Sequence, residues 1–212
     1  MIGILGGTFD PVHFGHLRPA LEVRVALGLD EIRLIPCHLP PHRPPPVATP
    51  RQRLAMLQNA IAGHAGFVID ERELYRDGPS YTLDTLLSLH ADLRGTDLCL
   101  LVGMDAFRGL TSWHRWHELI EHCHIVVMTR PGAIFPEHGE LGHFIGLHRA
   151  FDPAMLRAQS AGLLYFQEVS QLEISGTHIR ALLGRGEAAD FLLPDGVLNL
   201  ITEQDLYTSD SQ

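Results

Sequence analysis

Short apolar runs rich in β-branched residues alternate along this chain with longer segments whose apolar positions recur every three or four residues. The runs at residues 2–5, 32–35, 67–69, 98–102 and 125–128 are almost continuously apolar, the pattern of strands buried on both faces. Helical spacing marks residues 17–27, 51–62, 82–93 and 116–121 between them. Strands alternating with helices predict an α/β fold, a doubly wound parallel sheet with helices on both faces. Such sheets bind ligands at the carboxyl ends of their strands, near the point where strand order reverses.

Turn-forming residues fall where that rule needs them. Gly6-Gly7-Thr8 follows the first run, Pro36 the second, Gly103 the fourth and Thr129-Arg130-Pro131-Gly132 the fifth. Residues 36–50 contain seven prolines, with His42 and Arg43 among them. Pre-proline sterics keep such a segment extended, so a stiff surface loop over the site is expected. Residues 132–151 read as a second irregular, mobile stretch. The first run is short and has no basic lead, so it reads as a buried strand rather than a signal peptide, and no stretch approaches a membrane span. At 212 residues, the expectation is a single domain spanning 1–212.

Composition narrows the chemistry. All 16 basic residues are arginine, which excludes a lysine P-loop, a pyridoxal Schiff base and an amine nucleophile. A formal charge of −9 argues against nucleic acid or an anionic membrane as partner, so any phosphate must meet a local site. Cys37, Cys99 and Cys123 are odd in number and far apart. They suit a reducing cytoplasm better than a disulfide framework or a cysteine zinc site.

The strongest local signal is Gly6-Gly7-Thr8-Phe9-Asp10-Pro11-Val12-His13-Phe14-Gly15-His16. Here a strand ends in glycines and turns into a helix near His16. Gly6 and Gly7 permit positive φ and let backbone N–H groups approach an anion, and Gly15 permits close packing at the helix start. His13 and His16, three apart, share one helical face and add imidazole donors to a helix N-terminus that favours negative charge. A glycine pair after a strand is common, and His-x-x-His can hold zinc. Beside glycines at a helix entry, however, phosphate binding ranks ahead of metal.

The second signal is Ile174-Ser175-Gly176-Thr177-His178-Ile179-Arg180. Ser175 or Thr177 is a natural helix N-cap, and Ile179, Leu182 and Leu183 form the apolar face before Gly184 and Gly186. Arg180 in the first turn makes a second anion seat. Taken alone, this is an ordinary capped helix. Trp113 offers either an aromatic platform or plain core, being one helical turn from Trp116. His117-Glu118-Leu119-Ile120-Glu121-His122 misses a zinc motif by one residue and reads as a solvated helix face. His138, His143 and His148 read as surface.

Together the two motifs resemble the nucleotidyltransferase superfamily marked by (H/T)xGH, and within it the bacterial nicotinate-nucleotide adenylyltransferase family. The likeness extends through Pro41-His42-Arg43, Pro79-Ser80-Tyr81-Thr82, Gly103-Met104-Asp105 with Phe107 and Trp113, and Thr129-Arg130-Pro131-Gly132. The resemblance implies a Rossmann-like fold of nucleotidyltransferase type. It implies transfer of AMP from ATP to nicotinate mononucleotide, giving deamido-NAD and pyrophosphate by direct attack without a covalent intermediate, with magnesium (Mg2+) carried on the phosphates rather than by protein ligands. His13, His16 and Arg180 are then the catalytic set. Gly6, Gly7, Thr8, Phe9 and Gly15 meet ATP, Ser175 and Thr177 grip its phosphates from the far side, and Gly103, Asp105 and Arg130 meet the adenine. Trp113 stacks on the nicotinate ring, with Thr82, His114 and Arg43 completing the acceptor end. Two positions depart from the family: Gly176 replaces a serine, and Arg43 replaces a proline-loop lysine, presenting a planar fork instead of a point charge. The alternatives are a pantetheine-phosphate adenylyltransferase, which is usually shorter and uses lysines, and a non-catalytic nucleotide-binding module, which could dispense with His16 and Arg180.

Overall fold

The computed structural model describes residues 1–41, 44–170 and 172–208. Its strands are β1 (Ile2–Gly7), β2 (Ile32–Pro36), β3 (Phe67–Ile69), β4 (Leu98–Gly103), β5 (His124–Thr129), β6 (Arg149–Ala150) and β7 (Leu164–Glu168). They form one sheet in the order β3-β2-β1-β4-β5-β7-β6, with every pairing parallel. The helices are α1 (Phe14–Leu27), α2 (Pro50–Ile61), α3 (Thr82–Asp92), α4 (Met104–Arg108), α5 (Trp116–His122), α6 (Gly139–His148), α7 (Gly176–Gly184) and α8 (Asp195–Glu203).

Successive residues of a strand face opposite sides of the sheet, and here both sides are apolar. Cys99 and Leu101 of β4 and Val126 and Met128 of β5 join the core under α1, α2 and α8. Leu98, Leu100 and Val102, with Ile125 and Val127, join the core under α3, α5 and α6. Doubly buried strands explain the unbroken apolar runs in the sequence. The doubly wound sheet expected from the sequence is therefore observed.

Local signals set the helix limits. α1 stops at Gly28, whose left-handed φ of 60° lets its N–H reach the Arg24 and Val25 carbonyls. α2 begins with Pro50 behind a reciprocal Thr49–Gln52 capping box. One expectation is corrected. Residues 132–151 are not irregular throughout, because α6 occupies half of the stretch and buries Leu141, Phe144 and Ile145. Their i, i+3, i+4 spacing was present in the sequence, but Gly142, Gly146 and the surrounding histidines obscured it. α8, β6 and β7 were likewise not anticipated. Among the described residues, no helix is long and apolar enough to cross a membrane.

Candidate active site

Strand order reverses between β1 and β4. At their carboxyl ends opens a cleft of about 550 Å³, the position this topology favours for a ligand. Gly6, Gly7 and Thr8 from the end of β1, Gly15 and His16 from α1, and Gly103 and Asp105 from the end of β4 line one part of it. Thr82, Trp113 and His114 line another, beside Pro40 and Pro41 of the proline segment.

The glycine turn works through space rather than left-handed geometry. Neither Gly6 nor Gly7 has positive φ, which corrects the sequence expectation; Phe9 does, at 49°. A Cβ at Gly7 would lie 3.2 Å from the Phe9 ring, whereas one at Gly6 would enter open space. The Phe9 side chain is fully buried and meets His16 edge-on at 5.1 Å. It therefore supports the loop from beneath and presents no surface of its own to the cleft.

His13 and His16 share a face as expected, their rings stacked at 3.8 Å. His13 caps α1 in extended conformation, and its backbone N–H donates to His16 Nδ1 at 3.3 Å. Their environments differ. His13 is buried, its Nδ1 has no hydrogen-bond partner, and desolvation lowers its pKa to about 4. His16 is the imidazole on the cleft wall.

The two distant motifs meet. Arg180 Nη1 donates to the Asp10 carbonyl at 2.6 Å, and Nη2 donates to Thr177 Oγ1 at 3.4 Å. Ser175, rather than Thr177, caps α7, accepting the His178 N–H at 3.2 Å. Glycines permit the approach: a Cβ at Gly15 would lie 3.0 Å from the Ile174 carbonyl, and one at Gly176 would lie 3.0 Å from the Asp10 carbonyl. Gly176, the departure from the family serine, thus lets α7 settle on the loop without displacement.

At the other end, the two tryptophans separate. Trp116 is buried against Phe144, whereas Trp113 is half-buried and lines the cleft. His114 stacks on Tyr81 at 4.3 Å. Thr82 opens α3 behind Tyr81, where first-turn N–H groups lack helical partners. Below lies a polar group the sequence reading missed. Thr85 Oγ1 donates to buried Glu73 at 2.6 Å, and Arg76 donates to Thr85 Oγ1 at 3.0 Å. Burial pushes the Glu73 carboxyl above its ordinary pKa despite the Thr85 hydrogen bond. Ser80 Oγ accepts the His38 N–H, and its own N–H reaches the Leu39 carbonyl, fastening the proline segment to the start of α3.

Other expected residues fall elsewhere. Arg130 is exposed and 3.9 Å from Glu173. It lines a neighbouring hollow with Glu22, Glu168 and Ser170, so it does not share the cleft of Gly103 and Asp105. Arg43 lies outside the described residues. His117 pairs with Glu140. Among the described residues no group of three or more His, Cys, Asp or Glu side chains is placed to hold a metal ion, and the three cysteines are buried and free of disulfides.

Residues 4–182 match the Cytidylyltransferase-like family model. A relative from Methylococcus capsulatus, named "Probable nicotinate-nucleotide adenylyltransferase", is 53% identical over 98% of this chain and 99% of its own. The chain belongs to the nicotinate-nucleotide adenylyltransferase family. A second member, from Aeromonas hydrophila, is 50% identical over 97% of this chain and 96% of its own. The fold is shared with the Plasmodium falciparum nicotinic acid mononucleotide adenylyltransferase complexed with NaAD, at 17% identity and a TM-score of 0.70 over 97% of this chain and 96% of that one.

In this family member, three buried groups whose contacts have no signal in the sequence brace the glycine loop. Arg53, 1% exposed, donates to the Thr8 carbonyl at 2.8 Å. Asp10 accepts the Val47 and Ala48 N–H groups at 2.8 and 3.0 Å. The Tyr207 hydroxyl donates to Asp10 Oδ1 at 2.7 Å. Asp10 lies inside the glycine–histidine motif, whereas Tyr207 carries no local signal.

Proposed function

We propose that this cleft transfers AMP from ATP to nicotinate mononucleotide. A phosphate oxygen of the mononucleotide bonds to the α-phosphorus of ATP as the bond from that phosphorus to the bridging oxygen breaks. The products are deamido-NAD and pyrophosphate. Family membership makes the chain a transferase of NAD biosynthesis. The observation that carries the mechanistic reading is the junction of the two motifs: Arg180 reaches the Asp10 carbonyl, and Gly15, next to the cleft-lining His16, packs against the Ile174 carbonyl.

The residues divide the work by position. Backbone N–H groups at Gly7 and Thr8, the His16 imidazole and the Arg180 guanidinium supply donors where charge builds on the leaving pyrophosphate. Ser175 and Thr177 add hydroxyls from the far side. Trp113 faces the nicotinate ring, and N–H groups at the start of α3 with the His114 backbone take its carboxylate. Gly103 and Asp105 face the adenosine. Holding both substrates in line supplies the orientation on which direct transfer depends. ATP enters as its magnesium complex, the ion neutralising phosphate charge while held by substrate and water; the donor-rich phosphate end suits phosphate oxygens rather than a cation. The setting is cytoplasmic, and neither nucleic acid nor membrane is a partner.

Pyrophosphate release from ATP, measured against nicotinate mononucleotide, nicotinamide mononucleotide and phosphopantetheine, tests this reading. Nicotinate mononucleotide should be the best acceptor. A preference for the amide would show that the acceptor pocket is misassigned, and a preference for phosphopantetheine would favour the sister activity.

A further inference from the structure

We infer that Asp10 is a positioning residue that sets the Arg180 guanidinium toward the phosphates, with Tyr207 as its strut; this rests on the phosphate-handling role proposed above. Asp10 is 5% exposed and gathers chain segments remote from one another in sequence. Its Oδ2 accepts from Val47 N and its Oδ1 from Ala48 N, at the far root of the proline segment. Oδ1 also accepts from the Tyr207 hydroxyl, 197 positions away. Arg180 Nη1 sits on the backbone carbonyl of the same residue and 3.7 Å from Oδ2.

The geometry explains why a carboxylate belongs there. A guanidinium carries five N–H donors in a rigid fork. With Nη1 held by Asp10 and Nη2 by Thr177, the plane of the fork is set before any ligand arrives. The carboxylate would swing if it were held only by the arginine. Two backbone donors and one phenol immobilise it instead, so its charge stays behind Arg180. Tyr207 is 2% exposed, and burial and the adjacent Asp10 push its phenol well above the ordinary tyrosine pKa, so it remains a donor. This chain has no lysine, which places a greater share of phosphate recognition on the orientation of its arginines.

Asp10→Asn and Tyr207→Phe, each made in the wild-type and in the Arg180→Ala background, test the inference. Pyrophosphate release is measured with ATP and nicotinate mononucleotide, together with thermal melts. In the wild-type background Asp10→Asn should lower kcat about tenfold or more, as expected when the carboxylate charge 3.7 Å from the guanidinium is lost, and Tyr207→Phe about fivefold. KM for nicotinate mononucleotide should stay within about twofold, since neither residue touches that end of the cleft. In the Arg180→Ala background neither change should lower turnover further, because the group being positioned is gone. Equal fold losses in both backgrounds would show a merely structural role and overturn the inference. Should Asp10→Asn fail to fold, Tyr207→Phe, which removes one hydroxyl and keeps the ring, decides alone. An inactive wild type would overturn the proposed function and this inference with it, whereas an active wild type with background-independent losses would overturn this inference only.

Discussion

The His13 and His16 rings stack at 3.8 Å, yet only His16 lines the cleft. Stacking makes His13 the rigid backing of His16, and burial keeps it neutral. His16→Ala should therefore lower kcat by about a hundredfold or more, the usual loss for one removed donor at a developing charge. His13→Ala should lower both turnover and the melting temperature. Steady-state pyrophosphate release and thermal unfolding of both variants check this, and unchanged turnover in His16→Ala would remove that imidazole from the mechanism.

Burial of His13 also sets a pH dependence. Its folded-state pKa, lowered from 6.5 to about 4, lies below that of the unfolded chain. The neutral form is favoured on folding, so its stabilising effect is full above about pH 6.5 and is lost as pH falls toward 4, the unfolded state taking up the proton first. A shift of that size corresponds to about 3 kcal/mol. His124, buried with Nδ1 accepting the Leu163 N–H, is lowered as well and adds to the same window. Urea unfolding at pH 7 and pH 4.5 should show a smaller difference in His13→Ala than in wild type. Asp70, held low by its Arg72 hydrogen bonds despite burial, loses its contribution only at more acidic pH.

Trp113 and Trp116 should separate binding from stability. Trp113→Ala should raise KM for nicotinate mononucleotide about tenfold while KM for ATP changes little, consistent with the loss of one stacking contact. Trp116→Ala should destabilise the fold by about 3–5 kcal/mol through the cavity it leaves against Phe144. Substrate titrations and urea unfolding of the two variants supply the comparison, and equal KM increases for both substrates in Trp113→Ala would mark that residue as structural.

The buried Glu73–Thr85 hydrogen bond fixes the start of α3 from below. Glu73→Ala removes the carboxylate that holds the Thr85 hydroxyl, on which Arg76 also rests, so the Tyr81-Thr82 wall should loosen. KM for the acceptor should rise about fivefold, in keeping with a loss of roughly 1 kcal/mol, with KM for ATP within twofold. Kinetics with each substrate varied in turn test this, and a larger effect on ATP would place the group at the other end of the cleft.

The sequence by itself determined the five strands β1–β5, the main helices between them and the two motifs at the starts of α1 and α7, because burial on both faces, helical periodicity, caps and glycine turns are properties of neighbouring residues. α6 escaped because glycines and histidines diluted its apolar spacing, and β6 because two residues carry no period. Only the tertiary structure decided that His13 lies behind His16, that Trp113 rather than Trp116 borders the cleft, and that Arg130 belongs to a separate hollow. It alone brought Arg180 and Tyr207 to Asp10 across separations of 170 and 197 residues. Those pairings come from how helices pack on the open sheet, and no local pattern encodes which remote donor will reach a buried carboxylate.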